Sequence, residues 1–254
     1  MEAGDNLGGQ GVLVTRPAAQ AAGLCRLIEA AGGRAIRFPA VEILPPADAA
    51  RARRRLSERW DLWVFVSRNA VEMALPLMPE GRLPAEPELA AVGAATAQAL
   101  AAAGRPADLV PEGRFDSESL LALLALSDLR GRRVLIVRGE AGRPVLGDTL
   151  TNRGAEVAYA EVYRRSLPKT DAASLLDRWE RDVSLVVATS GEVLDNLLTL
   201  MGAAGRARLY ATRLVVVSER TAERARKLGF SRVTVADHAS DQALLAALCR
   251  AARS

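Results

Sequence analysis

The chain has 254 residues, 50% of them hydrophobic and 25% charged, which is enough for one or two folded domains and excludes a disordered chain. Thirty-four Lys and Arg stand against 30 Asp and Glu, a net charge of +4, and only Lys169 and Lys227 are lysines. The charges are interspersed and aromatics make up 4%, too few for base stacking, which argues against nucleic acid and leaves a small anionic ligand open.

In chain order, residues 1–11 are Gly-rich and polar, with no basic stretch followed by an apolar one. They read as a frayed leader without a secretory signal, with the cytoplasm as the default compartment. No apolar run approaches the roughly 18 residues of a membrane span. Strands are expected at residues 12–14, 35–38, 62–66, 89–92, 107–110, 134–137, 157–159, 185–188, 214–217 and 233–235. Most are continuously apolar, the signature of parallel strands covered on both faces. Between them lie helical patterns. Leu24, Leu27, Ile28 and Ala31 form one stripe closed by Gly32 and Gly33, and others run at about 47–58, 69–78, 95–103, 117–126, 143–152, 170–180, 192–200, 219–227 and 240–251. Strand–helix alternation with short connections means an α/β architecture.

Half the chain repeats the other half. Val12-Leu13-Val14-Thr15-Arg16 matches Val134-Leu135-Ile136-Val137-Arg138 at an offset of 122 residues. Trp63-Val64-Phe65-Val66-Ser67 matches Val186-Val187-Ala188-Thr189-Ser190 at 123, and residues 91–97 match 216–222 at 125. Matches in the same order in both halves imply two similar lobes. Residues 38–46 and 160–168 interrupt the rhythm. Both are extended and end in proline, and they read as connectors between lobes that can pair antiparallel.

Ligands meet parallel sheets at the carboxyl ends of strands. Those ends here carry Thr15 and Arg16; Ser67, Arg68 and Asn69; Gly93 and Thr96; Arg138 and Gly139; Thr189 and Ser190; Ser218, Arg220 and Thr221. Each precedes a helix, where free N–H groups favour carboxylate or phosphate, although Ser, Thr and Asn are also ordinary helix caps. No phosphate-binding or dinucleotide loop occurs and neither Ser67 nor Ser190 sits in a nucleophile elbow. Cys25 and Cys249 read as small core residues, and His238, the only histidine, as a surface loop residue. The residues alone describe a cofactor-free, metal-free bilobal α/β protein with an anion-friendly cleft. An enzyme acting on a small anion, a non-catalytic binding or sensor module, and a sugar-nucleotide transferase with twin lobes all remain open.

Three stretches resemble the uroporphyrinogen-III synthase family. They are residues 13–43 with Thr15-Arg16-Pro17 and Phe38-Pro39-Ala40; residues 137–165 with Arg138-Gly139-Glu140 and Val162-Tyr163-Arg164-Arg165; and the junctions Ser67-Arg68-Asn69 and Gly93-Ala94-Ala95-Thr96. The resemblance implies two α/β lobes, each a parallel sheet flanked by helices, joined by a two-stranded antiparallel connector. Lobe 1 would be residues 1–38 plus 168–254, lobe 2 residues 45–160, and the connectors 39–44 and 161–167. It implies cyclisation of the linear tetrapyrrole hydroxymethylbilane to uroporphyrinogen III in the cleft between the lobes, with ring D inverted, water lost and no cofactor. It makes Tyr163 the expected acid. Arg16, Ser67, Arg68, Asn69, Thr96, Arg138, Gly139, Ser190, Arg220 and Thr221 are the expected substrate contacts, and the upstream hydroxymethylbilane synthase is an expected partner.

Overall fold

The computed structural model describes residues 6–112, 117–123 and 126–253. The leader expected over residues 1–5 and the part of the helix expected at 124–125 lie outside the described residues. From residue 6 onward the leader is not frayed. Leu7 is buried, its N–H reaches the Ala31 carbonyl at 2.8 Å, and its side chain seats against Gly33, where a Cβ would meet it at 2.8 Å.

The elements follow in order: β1 (Gly11–Val14), α1 (Ala22–Ala30), β2 (Arg34–Arg37), β3 (Glu42–Leu44), α2 (Ala49–Ser57), β4 (Leu62–Phe65), α3 (Arg68–Ala74), β5 (Glu88–Ala91), α4 (Ala94–Ala102), α5 (Ser117–Leu121), β6 (Arg133–Gly139), α6 (Val145–Asn152), β7 (Glu156–Ser166), α7 (Ala173–Leu176), α8 (Trp179–Asp182), β8 (Leu185–Ala188), α9 (Gly191–Ala211), β9 (Arg213–Val216), α10 (Glu219–Leu228), β10 (Val233–Val235) and α11 (Asp241–Arg253). Contacts divide the chain into two compact units. One is Met1–Glu42 with Ser166–Ser254, and the other is Ile43–Arg165.

The first unit holds the sheet β10-β9-β8-β1-β2, with every adjacent pair parallel. β1, β8 and most of β9 are buried on both faces, which is why their sequences are unbroken Val and Leu rather than alternating. The second unit holds β3-β7-β6-β4-β5, with β7, β6, β4 and β5 parallel. The repeat explains the likeness of the two orders: β2-β1-β8-β9 and β7-β6-β4-β5 are the same arrangement built from matching segments. The counterpart of β10 is the segment expected as a strand at 107–110. It makes only an isolated bridge, Leu109 with Ala90. Pro106 and Pro111 flank it, and the Asp108 carboxylate takes the Leu89 N–H at 2.8 Å, competing with the ladder.

Among the described residues three helices depart from the expected pattern, the one expected at 117–126 ending at Leu121. The segment at 170–180 is two short helices, α7 and α8, separated at Arg178, whose backbone is not helical. The helix expected at 192–200 ends close to where it is expected: Gly202 has non-helical backbone, with φ 58°, and a second helical stretch follows it to Ala211, the two together making up α9. Cys25 and Cys249 are buried in α1 and α11, and His238 is exposed just before α11.

Asp182 closes the amino end of β1. Its carboxylate accepts from Arg181 Nε at 3.0 Å and from Arg34 at 3.3 Å. The Arg181 hydrogen bond, reinforced by Arg34, holds its pKa below the usual 3.8. A carboxylate with a lowered folded pKa stabilises above its unfolded value and loses that contribution as the pH falls through the folded value. Asp182→Asn is therefore expected to lower Tm at pH 7, with the gap to wild type closing as the pH drops well below 3.8. Thermal denaturation of both proteins along an acid series measures this, and a gap that stays constant from neutral pH to about pH 2 would refute the linkage.

Candidate active site

In each unit the expected residues lie at the carboxyl ends of that unit's own strands, and three hydroxyl caps recur there. Ser67, Ser190 and Ser218 have φ near −160° and accept the N–H of the residue three on: Ala70 at 3.1 Å, Val193 at 3.2 Å and Thr221 at 3.3 Å. Extended backbone before a helix aims the Ser oxygen at the open N–H groups, and each such cap is worth about 1 kcal/mol. Gly93 occupies the corresponding place before α4 without a side chain to cap it. Thr96 and Thr221 are buried, and the Thr221 hydroxyl is 3.0 Å from Ser218 Oγ. Thr15, offered by the sequence as a strand-end hydroxyl, is fully buried and donates to the Val187 carbonyl, tying β1 to β8.

The arginines divide into committed and open ones. Arg16 pairs with Asp241 at the start of α11, a partner 225 residues away that no local pattern reveals. Arg68 pairs with Glu72 at 2.6 Å one helical turn along, the guanidinium being half exposed. Arg138 pairs with Glu161 at 3.1 Å, donates to the Gly142 carbonyl at 3.2 Å, and stacks on Tyr159 at 4.0 Å from the ring centre. Arg220 is exposed and has no ion pair among the described residues. Asn69, at the start of α3, is half-buried. A cavity of about 410 Å³ opens beside Arg138, walled by Arg51, Asp48, Glu140, Tyr159 and Glu161. Three carboxylates and two guanidiniums line it, and Arg138 is held by Glu161 rather than left bare for an anion. A larger cavity, about 620 Å³, sits around Trp60, Trp63, Met78 and Pro84 near the amino end of β4, away from the capped strand ends.

Tyr163 is the best-defined residue of the set. Strict alternation along β7 would turn it to the side of Tyr159 and Glu161. The pairing of β7 with β6 shifts between Arg138, opposite Glu161, and Gly139, opposite Tyr163. Val162 is thus the extra residue of a bulge, and the bulge re-aims the next side chain. Tyr163 consequently joins Ala160 and Val162 in the core that also holds Phe65 and Ala70. Its carbonyl accepts Glu140 N–H at 2.9 Å. Its ring lies on Gly139, where a Cβ would come within 2.6 Å of two ring carbons. Its hydroxyl is 3.2 Å from Ser67 Oγ. The residue is 4% exposed. Sequence reasoning names Ser67, Gly139 and Tyr163 separately; the structure brings them together in one contact set. Next to it, Ala141 has φ 58°, a left-handed conformation that costs a non-glycine residue about 1–2 kcal/mol.

Comparison with known proteins agrees over nearly the whole length. A family model described as uroporphyrinogen-III synthase HemD matches residues 23–246. The uroporphyrinogen-III synthase of Escherichia coli K12 is 39% identical over 243 residues, covering 93% of this chain and 99% of that protein. The enzyme of Salmonella typhimurium is 40% identical with the same coverage. Among solved structures, a mutant uroporphyrinogen III synthase of Thermus thermophilus aligns over 96% of this chain and 99% of its own, with a TM-score of 0.61 and 22% identity. Uroporphyrinogen-III synthetase of Helicobacter pylori 26695 aligns over 93% of this chain and 97% of its own, with a TM-score of 0.60 and 14% identity. The structural likenesses carry the fold, and the closer sequence matches carry the family. With matching segments from the first strand–helix unit to the last helix, this chain belongs to the uroporphyrinogen-III synthase family.

Proposed function

We propose that this protein closes hydroxymethylbilane to uroporphyrinogen III with loss of water and inversion of ring D, and that Tyr163 is its acid. The observation that carries the acid role is the seating of Tyr163: a bulge, a glycine floor and a capping serine together fix one phenol at the carboxyl ends of β4 and β6. A phenol is protonated at neutral pH and can donate to a departing hydroxyl. The hydroxymethyl carbon ionises readily, because the pyrrole nitrogen lone pair stabilises the cation, so one donor suffices and most of the catalysis is positioning.

The substrate carries eight carboxylates, and the proposed contacts divide the work by what they already hold. Arg220 is exposed, without an ion pair among the described residues, and meets a carboxylate directly; Arg68, though exposed, already holds Glu72, and Asn69 is only partly exposed. Arg16 and Arg138 are neutralised by Asp241 and Glu161, so they shape the strand ends more than they bind charge. Ser190, Thr96, Thr221 and the backbone around Gly139 supply hydroxyl and N–H contacts. No helix of the described residues is long and apolar enough to cross a membrane. In this reading the protein works in the cytoplasm, supplied by the upstream hydroxymethylbilane synthase.

The test is incubation with freshly prepared hydroxymethylbilane. The enzyme yields isomer III, whereas a non-catalytic binder leaves only spontaneous closure to isomer I. Tyr163→Phe keeps the ring and removes the donor. Turnover to isomer III is expected to fall about tenfold to a hundredfold, with Tm nearly unchanged because only one hydrogen bond is lost. Full turnover in this variant would return Tyr163 to a packing role.

A further inference from the structure

We propose that Ser67 is the positioning residue that makes Tyr163 an acid, by donating its hydrogen to the phenol oxygen. The inference deepens the reading above and rests on Tyr163 protonating the departing hydroxyl.

The Ser67 hydroxyl has one hydrogen and two lone pairs. One lone pair takes the Ala70 N–H at 3.1 Å, and the phenol oxygen lies 3.2 Å away. Only one hydrogen fits between two oxygens at that distance. Were it the phenol's, Tyr163 would spend its only proton on Ser67. With Ser67 as donor, the order runs Ala70 N–H to Ser67, Ser67 O–H to Tyr163, and Tyr163 O–H outward, each bond polarising the next.

The step then balances. The carbon–oxygen bond of the hydroxymethyl group breaks and its electron pair leaves with oxygen. The Tyr163 proton completes a water molecule, and the phenolate left behind keeps the Ser67 hydrogen bond. The proton released when the closing pyrrole carbon loses its hydrogen restores the phenol. Neither oxygen can drift. Ser67 is fixed by the extended backbone of the cap, and Tyr163 by the bulge and by Gly139.

Steady-state kinetics on the full chain with hydroxymethylbilane, alongside Tm, separate this role from capping. Ser67→Thr keeps both the cap and the donor, and is expected to retain kcat within about twofold. Ser67→Ala loses both; kcat should fall to the level of Tyr163→Phe with KM within about twofold, and the double variant should be no slower than either single one. Ser67→Asp keeps the cap but offers only acceptors, so Tyr163 must point its proton inward. Its Tm should stay at or above that of Ser67→Ala while kcat falls at least as far. Wild-type kcat in Ser67→Asp, or multiplicative losses in the double variant, would overturn the positioning role while leaving Tyr163 as acid. Wild-type kcat in Tyr163→Phe would overturn the acid reading and this inference with it.

Discussion

Gly139→Ala is expected to cost the protein more than about a hundredfold in turnover and about 2 kcal/mol in stability. A methyl group at this position would stand 2.6 Å from Cε2 and Cζ of Tyr163, well inside van der Waals contact. The ring cannot back away by moving its own strand, because the Tyr163 carbonyl is held by Glu140 N–H and the bulge fixes the register. It must rotate off Gly139, which breaks the 3.2 Å contact with Ser67 and disturbs the core around Phe65. Overpacking of this kind costs about 1–3 kcal/mol. The loss of activity should exceed that of Tyr163→Phe, since the variant displaces the whole ring rather than one atom. Combining Gly139→Ala with Tyr163→Ala removes the collision. Stability should then be higher than additivity of the two changes predicts, with turnover still low. Isomer III formation and urea denaturation of the three variants read both quantities; turnover in Gly139→Ala equal to wild type would refute the steric account.

Gly11→Ala is expected to destabilise by about 3 kcal/mol or more, lowering Tm by about 10 °C. A Cβ at Gly11 would fall on the Asp182 carbonyl oxygen and press on the Ile36 side chain at 3.1 Å. The carbonyl belongs to backbone that has no freedom to yield. Asp182 N–H and Val183 N–H are bonded back to Arg178 and Trp179 at 2.9 and 2.8 Å, and Ser184 N–H reaches the Gly11 carbonyl at 2.8 Å. Gly11 opens the β1 strand, which lies inside its sheet, so any shift there moves β1 against both β2 and β8. Differential scanning calorimetry tests it, and a Tm within about 2 °C of wild type would show that the strand entrance can relax.

Most of the scaffold is legible because buried parallel strands leave unbroken Val, Leu and Ile runs, and because each half of the chain corroborates the other. The segment at 107–110 looks like its repeat partner but lacks room for a ladder between two prolines. The glycine stop at Gly202 is real, and what goes unread is the second helical stretch that follows it to Ala211. The site is legible only as a set of separate residues. That Tyr163 faces Ser67 depends on one extra residue, Val162, in the pairing of β7 with β6; hydrophobic alternation, taken at face value, turns the tyrosine to the other side. The Arg16–Asp241 pair depends on the return of the chain end to its beginning, which no spacing encodes.

The place of β1 in its sheet has a consequence for biosynthesis. Ile43–Arg165 is one uninterrupted stretch of chain, so as it leaves the ribosome it holds everything needed to fold. The strand made before it does not. β1 is flanked by β2, which emerges soon after, and by β8, whose Val187 lies 172 residues beyond Thr15. Until β8 is synthesised, the Val12–Val14 edge of the nascent chain has unpaired amides and apolar side chains with nothing to cover them. At about 5–20 residues per second, that exposure lasts on the order of ten seconds or more. The inserted middle unit therefore finishes early, while the older amino-terminal segment waits for the carboxyl-terminal third of its own sheet, and chaperone demand in this protein should fall on that first segment.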